Sequence, residues 1–228
     1  SLILAQKWAE RRRKLLLIAP ATLRKQWSQE LEEKFSLPSR IIEAKSFNQI
    51  IKEGCGNPFD IENATGEAAI CICSYEFASR KEHELARIPW DLVVMDEAHK
   101  LRNIYKSDGA KTAKKLSSAL SGRKKILLSA TPLQNSILEL YGLVSVIDPH
   151  FFGDLASFKA RYSRQNIDDA ELALLRVRLN KICNRTLRRQ VQQEGGISFT
   201  RRHSITEDFR PTDEEEALYK QVSSYLQQ

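Results

Sequence analysis

The stretch Ile88-Pro-Trp-Asp-Leu-Val-Val-Met-Asp-Glu-Ala-His-Lys-Leu-Arg-Asn103 decides the fold. Leu92 to Met95 is an unbroken run of β-branched and large apolar residues. Such a run reads as a strand buried on both faces, the pattern of a parallel sheet. It stops abruptly at Asp96-Glu97. The carboxyl end of a buried parallel strand is where open α/β sheets bind ligands. A hard cation such as Mg²⁺ takes oxygen ligands, often one or two carboxylates plus phosphates and waters. Asp96 is therefore a candidate to hold a hydrated Mg²⁺, and Glu97 to orient or deprotonate an attacking water. The plain alternative is a strand followed by a polar loop.

Working outward, the same alternation of apolar runs and capped amphipathic segments recurs. Residues 14–20 read as a strand ended by Pro20. Thr22 then caps a helix whose Leu23, Trp27 and Leu31 share one face. Residues 40–44 form a short strand, 46–52 a short helix, and 54–66 a polar loop. Ala69-Ile-Cys-Ile-Cys73 is the next strand, and Lys125-Ile-Leu-Leu-Ser129 the one after the opening stretch. A helix over 109–120 joins those last two. Strands alternating with helices imply parallel βαβ units, so the fold class is α/β, a parallel sheet with helices on both faces.

From Ser136 the character changes. Ser136-x-x-Glu139 is a capping box opening a helix to about residue 147. Asp168-Asp169 start another, with Leu172, Leu175, Leu179 and Ile182 on one seam. This helical appendage carries no strand. After Gly195-Gly196, residues 202–209 read as one strand, and Thr212 with Glu215 caps a final helix over 213–227. The division expected is 1–135 for the sheet domain, 136–196 for the helical extension and 197–228 for a connecting segment. Residues 2–12 are helical but lack a capping residue, as though the chain began inside a helix.

The net charge is +7, a surplus that suits a nucleic-acid partner and equally a soluble surface. Cys55, Cys71, Cys73 and Cys183 have no second Cys or His pair at zinc-site spacing. Read as reduced core thiols, they favour an intracellular compartment. No stretch is long and apolar enough to cross a membrane as a helix.

Taken in order, the motifs resemble the Swi/Snf-like family of superfamily-two DNA translocases, and specifically the first of its two RecA-like lobes. Leu17-Ile-Ala-Pro-Ala-Thr-Leu-Arg-Lys-Gln-Trp27 with Glu30 is similar to motif Ia, and Cys73-Ser-Tyr-Glu76 to motif Ib. Asp96-Glu-Ala-His99, running into Lys100-Leu-Arg-Asn103, resembles motif II, a DEAH box. Leu127-Leu-Ser-Ala-Thr-Pro-Leu-Gln-Asn135 resembles motif III, and Thr186-Leu-Arg-Arg189 the stretch that leads to the second lobe.

The resemblance implies an ATP-dependent, Mg²⁺-requiring motor that tracks along double-stranded DNA and acts on proteins bound there. It places such a motor in the cytoplasm or nucleoid of a bacterium, or in a eukaryotic nucleus. Asp96 would coordinate Mg²⁺ through water and Glu97 would activate the hydrolytic water. His99 would contact the other lobe or motif III, the alternative being a surface histidine near a strand end. Ser129, Ala130, Thr131, Gln134 and Asn135 would couple the nucleotide site to the DNA-facing loops; simple hydrogen bonding at a loop start is the alternative. Thr22, Arg24, Lys25, Ser74, Tyr75, Arg188 and Arg189 would contact the DNA backbone, which is met by hydroxyls, backbone N–H groups and cations at loop tips. Ordinary capping and a solvated basic face are the alternative. Trp8, Trp27 and Trp90 read as core anchors.

One departure qualifies the likeness. A phosphate-cradling Gly-x-x-x-x-Gly-Lys-[Ser/Thr] loop is needed before the first helix, yet no Gly here is followed by Lys, and the first Gly is Gly54. The loop, the strand before it and the second lobe with its arginine finger are thus expected to belong to a larger parent protein. The chain alone is expected not to hydrolyse ATP, and the missing strand to leave a sheet edge unpaired. Two other readings remain open: a non-catalytic scaffold for DNA or protein, and a Mg²⁺-dependent nuclease, which would require further carboxylates converging on Asp96 and Glu97.

Overall fold

The computed structural model describes residues 1–107, 110–131, 136–163, 168–184, 205–207 and 211–226. Among the described residues, five strands make one parallel sheet: β1 (Leu15–Ala19), β2 (Ser39–Ile41), β3 (Ile70–Ser74), β4 (Leu92–Met95) and β5 (Lys125–Leu127), in the order β2-β3-β1-β4-β5. Leu17 of β1 lies level with Ile72 and Val94, and Val94 with Ile126. β1 is central, with all five residues buried. The apolar runs of β1, β3 and β4 are continuous because both sheet faces are covered.

Period-two alternation divides those runs between two cores. Leu15, Leu17, Ile70, Ile72, Leu92 and Val94 pack with Leu4 and Trp8 of α1 (Leu2–Ala9) and Trp27 and Leu31 of α2 (Arg24–Phe35). Leu16, Ile18, Cys71, Cys73, Val93 and Met95 belong to the other core. That face is covered by α3 (Ala44–Lys52), α4 (Ile61–Thr65), α5 (Tyr75–Arg80), α6 (Glu82–Ala86), α7 (Lys111–Ala119) and α8 (Ile137–Ile147). They contribute Phe47, Ile61, Phe77, Leu85, Leu116 and Leu143 respectively. The α/β class with helices on both faces is thus what the chain adopts.

Beyond the sheet, Asp154 caps α9 (Leu155–Tyr162) by accepting from Ser157 N–H at 2.9 Å. Phe158 sits at 4.9 Å ring separation from each of Tyr141, Phe152 and Tyr162. Among the described residues, α10 (Asp169–Leu179) and α11 (Asp213–Leu226) follow. Thr212 and Glu215 form the expected reciprocal cap of α11, each side chain accepting from the other's backbone N–H. No described helix is long and apolar enough to cross a membrane.

Several local expectations are corrected. Thr22 does not cap α2: the turn closed by Leu23 N–H on Pro20 O delays the helix to Arg24, so the hydroxyl falls out of register with the first-turn donors. The loop over 54–66 contains α4, capped by Asp60 on Asn63 N–H. The second strand is shorter and earlier than expected, because Glu43 and Ser46 cap α3 reciprocally and start it at Ala44. Ser136 does cap α8, through Leu138 N–H, while Glu139 is buried with its carboxylate 3.6 Å from Arg102 Nε. The leucine seam of α10 is uneven: Leu175 is buried, but Ile182 lies past the helix end and is exposed.

The chain divides into two compact units, Ser1–Ala173 and Leu174–Gln228. Within the first, α8 lays Leu143 and Val146 into the sheet core. Of the strand expected over 202–209, residues 205–207 are described and have no regular structure.

Candidate active site

A parallel sheet sends the carboxyl end of every strand to one rim. The connection leaving β1 runs to the β2 side of the sheet, whereas the one leaving β4 runs to β5. The crevice where two such connections diverge is the usual ligand site of open α/β sheets. Asp96 stands there, directly after β4.

Asp96 continues the ladder by donating its N–H to Ile18 O at 2.8 Å. Its carbonyl accepts from Tyr75 Oη at 2.7 Å. One carboxylate oxygen, Oδ1, accepts from Glu97 N–H at 2.9 Å, and Oδ2 accepts from Trp27 Nε1 at 2.7 Å. Both Asp96 and Glu97 remain half-buried, not sealed, so water reaches the tip. Burial first, then the charges of Asp96 and Glu97, push the Tyr75 hydroxyl well above the ordinary phenol range, so it stays a donor.

Glu97 takes a left-handed backbone, φ 51° and ψ 45°. A non-glycine residue there costs roughly 1–2 kcal/mol. The turn is held in place by its neighbours: Ala98 N–H donates to Leu128 O at 2.8 Å, and Leu128 N–H to Met95 O at 2.8 Å. The acidic turn is thus stapled to the end of β5, one residue before Ser129, Ala130 and Thr131. Ser129 Oγ accepts from Thr131 N–H at 3.2 Å, a local turn that leaves Thr131 exposed. His99 begins the return path in the short 3₁₀ turn Ala98–Leu101. Its Nδ1 lies 3.0 Å from Glu97 Oε2, without the alignment of a hydrogen bond.

The rim also carries the turn after β1. Thr22 and Lys25 are exposed there, while Arg24 is tied back by Nε on Ala21 O at 3.3 Å and by Nη1 at 3.5 Å from Glu43 Oε2. Ser74 and Tyr75, after β3, reach the same rim but are 7% and 1% exposed. Ser74 Oγ accepts from Phe77 N–H, capping α5. Their side chains turn inward: Ser74 Oγ serves a cap and the Tyr75 hydroxyl serves Asp96. Gln134, Asn135, Arg188 and Arg189 lie outside the described residues.

Three participants were not legible as such in the sequence. Trp27 was expected to be a core anchor, and its ring does pack on the core, but its N–H serves Asp96. The signal available was chemical: a partly buried indole N–H almost always finds an acceptor. Glu139 and Arg102 are joined across the site's flank: Glu139 was legible only as half of a capping box, and Arg102 had no signal beyond its charge.

No group of three or more His, Cys, Asp or Glu converges among the described residues. Asp96 and Glu97 supply carboxylate oxygens, the donors that a largely hydrated Mg²⁺ takes one or two at a time. The donor set present therefore fits a hydrated Mg²⁺ on Asp96, with Glu97 beside it. A cradle for a triphosphate is not among the residues of this chain, which has no Gly-Lys pair.

Comparison with known proteins follows the same line. A family model described as SNF2-related domain matches residues 1–227. An ATP-dependent helicase of Bacillus subtilis, YqhH, itself uncharacterised, is 30% identical over 213 residues, covering 92% of this chain and 34% of that protein. The mouse DNA repair and recombination protein RAD54B is 28% identical over 159 residues, covering 70% of this chain and 16% of its own length. The RNA polymerase-associated protein RapA of Cronobacter sakazakii is 29% identical over 168 residues, covering 71% and 16% respectively. Among solved structures, the Sulfolobus solfataricus SWI2/SNF2 ATPase core in complex with dsDNA superposes with a TM-score of 0.58 at 21% identity, over 77% of this chain and 34% of that one. The chain thus spans about a third of the B. subtilis relative and less of the other two.

Proposed function

This chain belongs to the SNF2-related domain family, and on that premise we propose that it is the first RecA-like lobe of an ATP-driven motor that moves along double-stranded DNA. The observation that carries the reading is the open acidic turn at the carboxyl end of β4, stapled to the loop after β5. A bound Mg²⁺ would supply positive charge against the phosphates. Asp96 would hold that ion through water. Glu97, projected by its left-handed backbone, would orient and deprotonate the attacking water. His99, beside Glu97, would fix that carboxylate's direction. Movement of the acidic turn would pass through the Ala98–Leu128 hydrogen bond to Ser129, Ala130 and Thr131, and so to the DNA-facing side. Thr22 and Lys25, both exposed, would meet phosphates; Arg24 would first have to leave Glu43.

The triphosphate cradle and the second lobe would come from other parts of a parent protein, so this chain by itself should turn over no ATP. Phosphate release, measured on the chain with and without duplex DNA, tests this: flat background is expected. Robust DNA-stimulated release by the chain alone would overturn the division of labour. In a longer protein that contains the chain, Glu97→Gln should abolish DNA-stimulated release; unimpaired turnover would remove Glu97 from its role.

A further inference from the structure

We infer that Trp27 is a positioning residue for the Asp96 carboxylate, fixing the direction in which Asp96 receives a hydrated divalent cation and tying that direction to α2. The inference rests on the cation-holding role proposed above for Asp96. An aspartate at a strand end has two free side-chain torsions and would otherwise sample several orientations. Here three donors immobilise it: Tyr75 on the main-chain oxygen at 2.7 Å, Glu97 N–H on Oδ1 at 2.9 Å and Trp27 on Oδ2 at 2.7 Å. Tyr75 fixes the main chain, and Glu97 N–H holds Oδ1 from within the acidic turn itself. Among the described residues, the hydrogen bond to Oδ2 comes from Trp27, on a separate helix.

The indole suits this task. Its ring is rigid, packs against the core shared with Leu17, Leu31 and Val94, and sends one donor to the rim. A carboxylate oxygen carries two lone pairs, so Oδ2 keeps one for a water of the ion's shell. Beside it, Leu23, Gln26, Trp27, Glu30 and Asp96 line a cleft of about 150 Å³, room for several waters. Trp27 lies in the first turn of α2, three residues after Arg24 and immediately behind the exposed turn with Thr22 and Lys25. A shift of that turn by a bound phosphate backbone would therefore be felt at Asp96 through one hydrogen bond.

The test uses the ¹⁵N-labelled chain titrated with Mn²⁺, whose paramagnetism broadens nearby signals even when it binds weakly. In the unaltered chain the Trp27 indole and Ala98 amide signals should broaden first, and Mg²⁺ should compete. Trp27→Phe keeps an aromatic ring, though a smaller one, and removes the N–H. Groups that orient a metal ligand typically contribute ten- to a hundredfold to affinity, so the Mn²⁺ concentration that halves the Ala98 signal should rise about tenfold. Trp8→Phe, in the same core but held under Arg13, should leave it unchanged. Well-dispersed spectra of both variants establish that they fold. Equal Mn²⁺ response in Trp27→Phe and the unaltered chain, equal weakening in both variants, or tighter binding in Trp27→Phe would each overturn the assignment while leaving Asp96 as the ion's holder. Absence of broadening around the β4 tip in the unaltered chain would overturn the cation reading and this inference with it.

Discussion

Gly142 of α8 lies so close to Arg102 that a methyl group on it would meet the Arg102 carbonyl oxygen at 2.0 Å. The helix thereby presses directly on the chain that returns from the acidic turn, and Glu139, one turn earlier, reaches the Arg102 guanidinium. Gly142 has an ordinary helical backbone, so it is the close approach that demands glycine here. Forced overpacking of this kind costs about 1–3 kcal/mol. Gly142→Ala should lower the urea midpoint of unfolding accordingly, and Gly142→Val should lower it further. An unchanged midpoint would mean that α8 can slide away freely.

The buried thiols and phenol predict sensitivity to alkali. Burial pushes Cys71 up, and Cys73 up to about 12, from an ordinary 9.0; it also raises Tyr75 above 10.0. Above the unfolded values the unfolded chain has lost protons that the folded chain keeps, so stability falls as pH rises. The stabilising preference is complete below about pH 9 and should erode progressively from there. Replacing both cysteines with alanine should flatten the decline between about pH 9 and 10, measured by denaturant unfolding across that range. A decline of the same slope in the double variant would assign it to other groups.

Ser74 and Lys25 should behave oppositely. Ser74→Ala removes the cap on Phe77 N–H and should destabilise by about 1 kcal/mol, with duplex-DNA affinity unaltered. Lys25→Ala should leave stability alone, weaken duplex binding for all sequences alike and reduce the salt slope of log K by about 1. Fluorescence anisotropy over a salt series reads both. A DNA defect in Ser74→Ala without loss of stability would return Ser74 to the contact set.

Among the described residues β5 has one strand neighbour, β4. Lys124 O and Leu128 N–H point to β4, so by alternation the backbone groups of Lys125 and Leu127 point outward. Open edges of this kind template pairing with other chains. Sedimentation should reveal concentration-dependent self-association, and Leu127→Pro, which deletes one outward donor and spares the Leu128 bond, should suppress it. A strictly monomeric particle at millimolar concentration would disprove edge pairing.

The sequence by itself determined the layers. Unbroken apolar runs at 15–19, 70–73 and 92–95 can be satisfied only by a sheet covered on both faces, and intervening helices long enough to cross over make that sheet parallel. Because all parallel strands end on one rim, Asp96-Glu97 and Ser129-Ala130-Thr131 had to share it. What sequence could not decide is which polar groups on that rim face outward. Ser74, Tyr75 and Thr22 all carry hydroxyls after a strand, yet two are consumed inside and one is exposed, because cap register and the depth of α5 settle the matter. Likewise Trp27 and Asp96 are 69 residues apart, and their hydrogen bond depends on where α2 begins after its turn. Periodicity is a local property of the chain. The aim of a single N–H across the sheet is fixed only when the helices pack.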